Sequence, residues 1–113
     1  MSVVCDITIR QGSNFNLSLQ LQGGDGVGRD LTGYSIRSQL RPGHGSDTHV
    51  DFHAEILVPE TGHMKISLPP AETSQLWAGQ GVYDIEIFTD ETNVERILEG
   101  RVTISPRVTN VDN

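Results

Sequence analysis

Lysine is nearly missing from this chain: Lys65 is the only one, beside seven arginines. The arginines stand singly, each near acids, and the 113 residues carry a formal net charge of −7. A phosphate-binding groove needs clustered Lys and Arg, so the composition argues against a nucleic-acid partner. An acidic exterior instead suits solubility and docking on a basic partner surface. Cysteine is as scarce. Cys5 stands alone, which excludes an internal disulfide, and its place in an apolar alternation makes it a small core residue. Aromatics reach only 5%, with one Trp, two Tyr and three Phe, which leaves few platforms for stacking sugars. No segment approaches the ~20 apolar residues of a membrane span. The opening "MSVVCDITIR" lacks the basic-then-apolar order of a signal peptide. These absences predict a chain made in a reducing cytoplasm, with no membrane partner.

What is present is period-2 alternation. Val3, Cys5, Ile7 and Ile9 share one face, and Phe15, Leu17, Leu19 and Leu21 alternate with Asn16, Ser18, Gln20 and Gln22. "GGDGVGRD" turns the chain, "GYSIRSQLR" resumes with Tyr34, Ile36, Ser38 and Leu40 inward, and "PGHGSD" ends that strand. In "HVDFHAEILV", Val50, Phe52, Ala54, Ile56 and Val58 take one face, followed by Met64, Ile66 and Leu68. "PPAETSQLWAGQG" predicts a short helix over about residues 70–77 that folds Leu76 and Trp77 over a core edge. Two strands follow, with Tyr83, Ile85 and Ile87 inward on the first and Val94, Leu98, Val102 and Ile104 inward on the second. Gly100 in mid-strand predicts a bulge or a close approach by another chain. The fold class expected is all-β: an antiparallel β-sandwich of about seven strands with one short helical crossover near residues 70–77, a single domain over residues 1–113. Phe15, Leu17, Ile36, Phe52, Ile66, Ile85 and Leu98 are the expected core.

The densest cluster of reactive side chains is "DTHVDFHAEI", residues 47–56. With Val50 and Phe52 inward, His49, Asp51 and His53 point outward about 6–7 Å apart along one strand. That set could ligate one ion, and these three residues are the metal candidates; His44 and His63, at turns, are weaker ones. Tetrahedral zinc wants three or four ligands with supporting groups behind them, and an exposed strand supplies that support poorly, so a solvated strand face is the expected reading and no cofactor is assigned. The glycines of "GGDGVGRD" miss the dinucleotide spacing and precede no helix. No nucleophile elbow surrounds any serine, and no paired-carboxylate cleft is legible. The sequence offers no catalytic constellation and points away from an enzyme.

The order of motifs carries more than any one of them. "ITIRQGSNFNLSLQL", "DLTGYSIRSQLR", "MKISLPPAETSQLWAGQGVYDIEIF" and "RILEGRVTISPRVT" follow one another. Together they resemble the small β-sandwich domain of tailed-bacteriophage virion proteins, found at the N-terminus of baseplate upper proteins and in collar and long-tail-fibre-attachment proteins. The resemblance spans about residues 6–109; the turn at 30–33, the crossover at 73–79, Tyr83–Asp84 and Gly100 are its most distinctive matches. It implies no catalytic residues. It implies a virion structural protein, made in the host cytoplasm, that docks on other virion proteins as a symmetric homo-oligomer. The partner is then the major capsid protein, for a cement or decoration protein, or the tail and collar proteins, for a component that attaches fibres. A small ligand- or carbohydrate-binding β module is the reading from a different class. The sequence ends at Asn113 without a fibre or receptor-binding part, which favours a module that docks. In "DLTGY", Asp30 is placed to bond amides beyond it and Gly33 to take a positive φ. Asp84 is placed to pair with Arg96 or Arg101.

Overall fold

In a computed structural model the described residues are 3–23, 26–43 and 45–108. They form nine strands in two sheets packed as a β-sandwich. The strands are β1 (Val3–Val4), β2 (Ile7–Arg10), β3 (Phe15–Gln20), β4 (Ser35–Arg41), β5 (Val50–Asp51), β6 (His53–Val58), β7 (His63–Leu68), β8 (Gly79–Asp90) and β9 (Asn93–Ser105). The larger sheet has the order β1-β9-β8-β4-β5, with β2 also on β9, and the smaller has β3-β7-β6.

The all-β sandwich read from alternation is present, with three differences. First, β1 and β2 pair with β9 in parallel, Val3 opposite Leu98 and Ile7 opposite Val102. Alternation specifies which face of a strand is buried but is silent on its neighbour's direction. Second, residues 50–58 are two strands. β5 pairs with β4 in the larger sheet and β6 with β7 in the smaller. The chain changes sheet at Phe52, whose N–H binds the Ser38 carbonyl at 2.9 Å. Its ring lies between Phe15 of the smaller sheet (5.7 Å between centroids) and Tyr83 of the larger (6.3 Å, edge-on). Third, the helix α1 covers only Pro70–Thr73, one turn; Gln75 and Leu76 continue it through turn bonds to Glu72 and Thr73. Leu76 is buried, as expected of the crossover. Thr73 pins α1 to the β2–β3 turn: its hydroxyl accepts from Gly12 N–H (3.1 Å) and donates to the Ser13 carbonyl (2.9 Å).

Ile9, Leu40, Ile85, Ile87, Val102 and Ile104 from the larger sheet meet Met64, Ile66 and Leu68 from the smaller, all essentially inaccessible to water. Of the expected core, Phe52, Ile66, Ile85 and Leu98 are buried, whereas Phe15, Leu17 and Ile36 are half-buried. Phe15 and Leu17 lie on an edge strand, where only one side is flanked. Val94, expected inward, is 40% exposed. A bulge is the reason: Ile85 faces Leu98 while Glu86 faces Arg96, so Ile97 is an extra residue that reverses the phase of β9. Before the bulge Glu95 takes the inner phase and meets Arg29 through two contacts of 2.9 and 3.1 Å.

Gly100 marks a close approach, made by this chain's own N-terminal segment. A Cβ there would collide with the Cys5 backbone carbonyl. That carbonyl accepts from the Tyr83 hydroxyl at 2.5 Å, Cys5 N–H binds the Glu99 carbonyl at 2.8 Å, and Asp6 Oδ1 accepts from Arg101 N–H at 2.9 Å. In the "DLTGY" turn, Asp30 accepts from the Thr32 amide (2.9 Å) and hydroxyl (2.6 Å), and Gly33 has φ +88°. Leu31 is thereby fully buried, its N–H on the Pro59 carbonyl at 2.7 Å.

Candidate interaction surface

The histidine–acid cluster is divided by the sheet change at Phe52. His49 and Asp51 stay with the larger sheet, 3.8 Å apart. His53 stands on the outer face of the smaller sheet, where its Nε2 meets Glu72 of α1 at 2.6 Å. Glu55 lies 3.8 Å from Lys65, and His63 Nδ1 is 2.7 Å from the Thr61 hydroxyl. His44 lies outside the described residues. Among the described residues no group of three His, Cys, Asp or Glu side chains converges as a metal site. The three candidates come from one alternating run, but the run does not continue in one sheet, so their even spacing along a single strand does not arise.

The outer face of the larger sheet carries a denser charge pattern. On β4, β8 and β9 the inward residues build the core, and Arg37, Gln39, Arg41, Asp84, Glu86, Arg96 and Glu99 point outward. They line an open depression of about 470 Å³. The Ile97 bulge makes this set possible: Arg96 and Glu99, three apart, would fall on opposite faces of a regular strand, yet here they sit 3.6 Å apart on one face. Arg37 Nε binds Glu86 at 2.7 Å, and its guanidinium lies 4.7 Å from the Phe88 ring centre. Arg96 also reaches Asp84 at 3.6 Å, the pairing expected from the sequence. Arg41 is held by the Ser46 carbonyl (2.6 Å) and the Gln39 side chain (3.0 Å).

Partial burial pushes the Asp84 carboxyl above its usual range, the nearby Glu86 and Glu99 charges add to this, and Arg96 and Arg41 oppose it. Beneath the floor, the buried Ser38 hydroxyl donates to the Asp84 carbonyl at 2.6 Å. Here three guanidinium groups and three carboxylates are interleaved across three strands. Nothing in the set is a nucleophile with a base beside it. An open face of alternating sign suits protein contact, where such charges fix register and speed encounter. Its signal in the sequence is the charges at outward positions of three strands. Grouping them requires the strand order and the bulge.

The strand edges differ in how they are guarded. β6 carries His53 and Glu55 and has a register irregularity between Ile56 and Val58. β4 is covered for two residues by β5. β2 has four residues and ends in Arg10. β3 is six residues in unbroken register with β7, Phe15 opposite Leu68 through Gln20 opposite His63, and it contains no charge and no proline. Charge, bulges, brevity and proline are the usual protections of an edge, and β3 has none of them.

No family model and no curated protein matches the chain. Solved structures similar to it include the extracellular domain of the voltage-gated sodium channel β4 subunit, described as a parallel homodimer that explains that protein's role in cell–cell adhesion. It is 15% identical with a TM-score of 0.49, over 97% of this chain and 92% of that one. The internalin-like protein lmo2027 of Listeria monocytogenes is 14% identical with a TM-score of 0.46, over 94% of this chain and 28% of that one.

Proposed function

We propose that this chain is a non-enzymatic structural protein of a tailed-bacteriophage virion that docks on other virion proteins as a symmetric oligomer, as a capsid cement or decoration protein. The observation that carries the docking part is the interleaved Arg and carboxylate surface on β4, β8 and β9, with its depression of about 470 Å³. The virion part rests on the order of motifs across residues 6–109. A stable contact buries well over about 1,000 Å² in total, so the depression is the centre of a larger footprint that extends over the sheet face. Paired exposed charges add little to the stability of the free chain, about 0–1 kcal/mol each. Their use is in partner choice.

The test is co-sedimentation of the purified chain with particles that lack it. Binding should weaken as salt rises, because the exposed charges are screened, and Arg37→Glu with Arg96→Glu should abolish it while leaving the circular-dichroism spectrum unchanged. Particles made without the protein should lose heat resistance if it is cement. Loss of fibres with intact heat resistance would move it to the collar or baseplate. Particles that match wild type in heat resistance, fibre content and infectivity would refute the structural role and favour a ligand-binding module, which a glycan and metal screen would then detect.

A further inference from the structure

We infer that the β3 edge is a self-association surface: two copies of this chain pair antiparallel through Phe15–Gln20 across a two-fold axis at Ser18, joining the two three-stranded sheets into one of six strands. The inference rests on the symmetric-oligomer part of the proposed function and names its interface.

The backbone phase comes first. Leu21 N–H binds the Gly62 carbonyl at 2.9 Å, which places Leu21 and Gly62 in a hydrogen-bonded pair at the end of the β3–β7 ladder. Antiparallel pairs alternate between bonded and non-bonded, so Leu19, Leu17 and Phe15 bond to β7. The N–H and C=O groups of Asn16, Ser18 and Gln20 then point away from β7 along the open side. The chain after β3 folds back on the β7 side, with Arg29 N–H on the Leu21 carbonyl (2.8 Å) and the Gln20 amide on the Thr61 carbonyl (3.0 Å). Among the described residues no strand occupies the open side.

Symmetry and charge select the occupant. A two-fold contact sets the edge against its own copy, so a charge at the axis would meet like charge. β3 is neutral. With the axis at Ser18, serine faces serine, and Asn16 of one copy faces Gln20 of the other, donor and acceptor amides on both sides. These three facing pairs use the three outward backbone positions, two reciprocal hydrogen bonds for each. On the inner face the same register sets Leu17 of one copy against Leu19 of the other. Both leucines are half-buried because the edge leaves one flank uncovered, and a second copy covers that flank. The charged surface on the larger sheet lies on the other layer of the sandwich and stays free for a different partner.

Sedimentation equilibrium of the full chain, with amide exchange, tests this. The wild type should sediment at twice the monomer mass of 12.4 kDa, with the Ser18 amide protected as concentration rises. Ser18→Lys and Ser18→Glu should each sediment as monomers and keep the wild-type circular-dichroism spectrum, since the side chain is exposed. Mixed, the two variants should restore the dimer mass, because opposite charges then face across the axis. A monomeric wild type, or Ser18→Lys and Ser18→Glu variants that each remain dimeric, would overturn the inference. A wild-type monomer that still binds particles would reject this interface alone, whereas a dimer with the expected Ser18 behaviour that binds no particle would reject the docking function alone.

Discussion

Replacing Gly100 by alanine should release the N-terminal segment from the sandwich. The new Cβ would occupy the position of the Cys5 carbonyl, which is backbone and cannot swing aside. Residues 3–6 must therefore lift off β9. Besides the β1–β9 ladder at Val3 and Val4, three hydrogen bonds anchor them: Tyr83 hydroxyl to Cys5, Cys5 amide to Glu99, and Arg101 amide to Asp6. At about 1 kcal/mol net for each of the two amide bonds, and about 1–3 kcal/mol for a buried Tyr83 hydroxyl left without its acceptor, the loss is about 3–5 kcal/mol. Little burial is lost besides, because Val3 and Val4 are 60% and 74% exposed. A domain of this size has roughly 5–15 kcal/mol in all, so the urea midpoint should fall by a large fraction. Cys5, half-buried in the native chain, should at the same time react faster with a thiol reagent. Gly43→Ala is the control, since a Cβ there meets nothing within 4 Å, and it should change stability by less than about 0.5 kcal/mol. A Gly100→Ala variant within about 0.5 kcal/mol of wild type, with Cys5 no more reactive, would show that the clasp over β9 contributes nothing.

Ile66→Ala should cost roughly 2–5 kcal/mol in urea unfolding, and in the monomeric Ser18→Glu background Leu17→Ala should cost clearly less, because there its flank is open; equal losses in that background would mean that β3 is covered within the single chain. The hydrogen-bonded Arg29 guanidinium holds the Glu95 carboxyl below its usual range. The pair's stabilisation is therefore complete above the ordinary carboxylate range and falls away as pH drops, so Glu95→Gln should flatten the acid limb of a melting-temperature profile. Burial above all, and then the neighbouring Cys5 side chain and the Asp6 charge, raise the Tyr83 hydroxyl above the normal tyrosine value; unfolded tyrosine ionises near 10, so stability should decline as pH rises beyond about 10, and Tyr83→Phe should weaken that decline. His49→Ala with His53→Ala should stay within about ±0.5 kcal/mol per site, and calorimetric zinc titration should show no site lost; stoichiometric zinc on the wild type alone would overturn that expectation.

Alternation made the inward faces of β4, β7 and β8 legible, because the side-chain period is two whatever the neighbouring strands do. The Asp30 turn was legible too, since an aspartate two residues before a bonded amide and a glycine at positive φ are local chemistry. What stayed hidden depends on distant partners. The phase of β9 changes at Ile97 because one strand carries a residue more than its neighbour, and nothing in "NVERILEGRVTIS" states which residue is extra. The run at 50–58 alternates without a break, yet Phe52 carries it from one sheet to the other, since an inward ring can serve both layers of a sandwich. The same crossing separates His53 from His49 and Asp51. The charged face was visible only as scattered arginines and acids. The Asp84–Arg96 pair was within reach, because β8 and β9 are consecutive strands joined by a short turn, whereas Arg37 and Arg41 join the set only through the long-range β4–β8 pairing.

The parallel clasp also sets the order in which the chain can fold. Asp6 meets Arg101 across 95 residues of sequence, so β1 and β2 have no sheet to join until β9 has formed. Non-local pairing of this kind slows folding, into the millisecond-to-second range for sandwiches. On the ribosome β8 emerges before β9, and for that interval its twelve residues present an open edge, with Tyr83, Ile85 and Ile87 along one side. Asp84 and Glu86 stand between those apolar residues. Acids in such positions oppose edge-to-edge aggregation, so the carboxylates that charge the finished surface also guard β8 while its last partner is still being made.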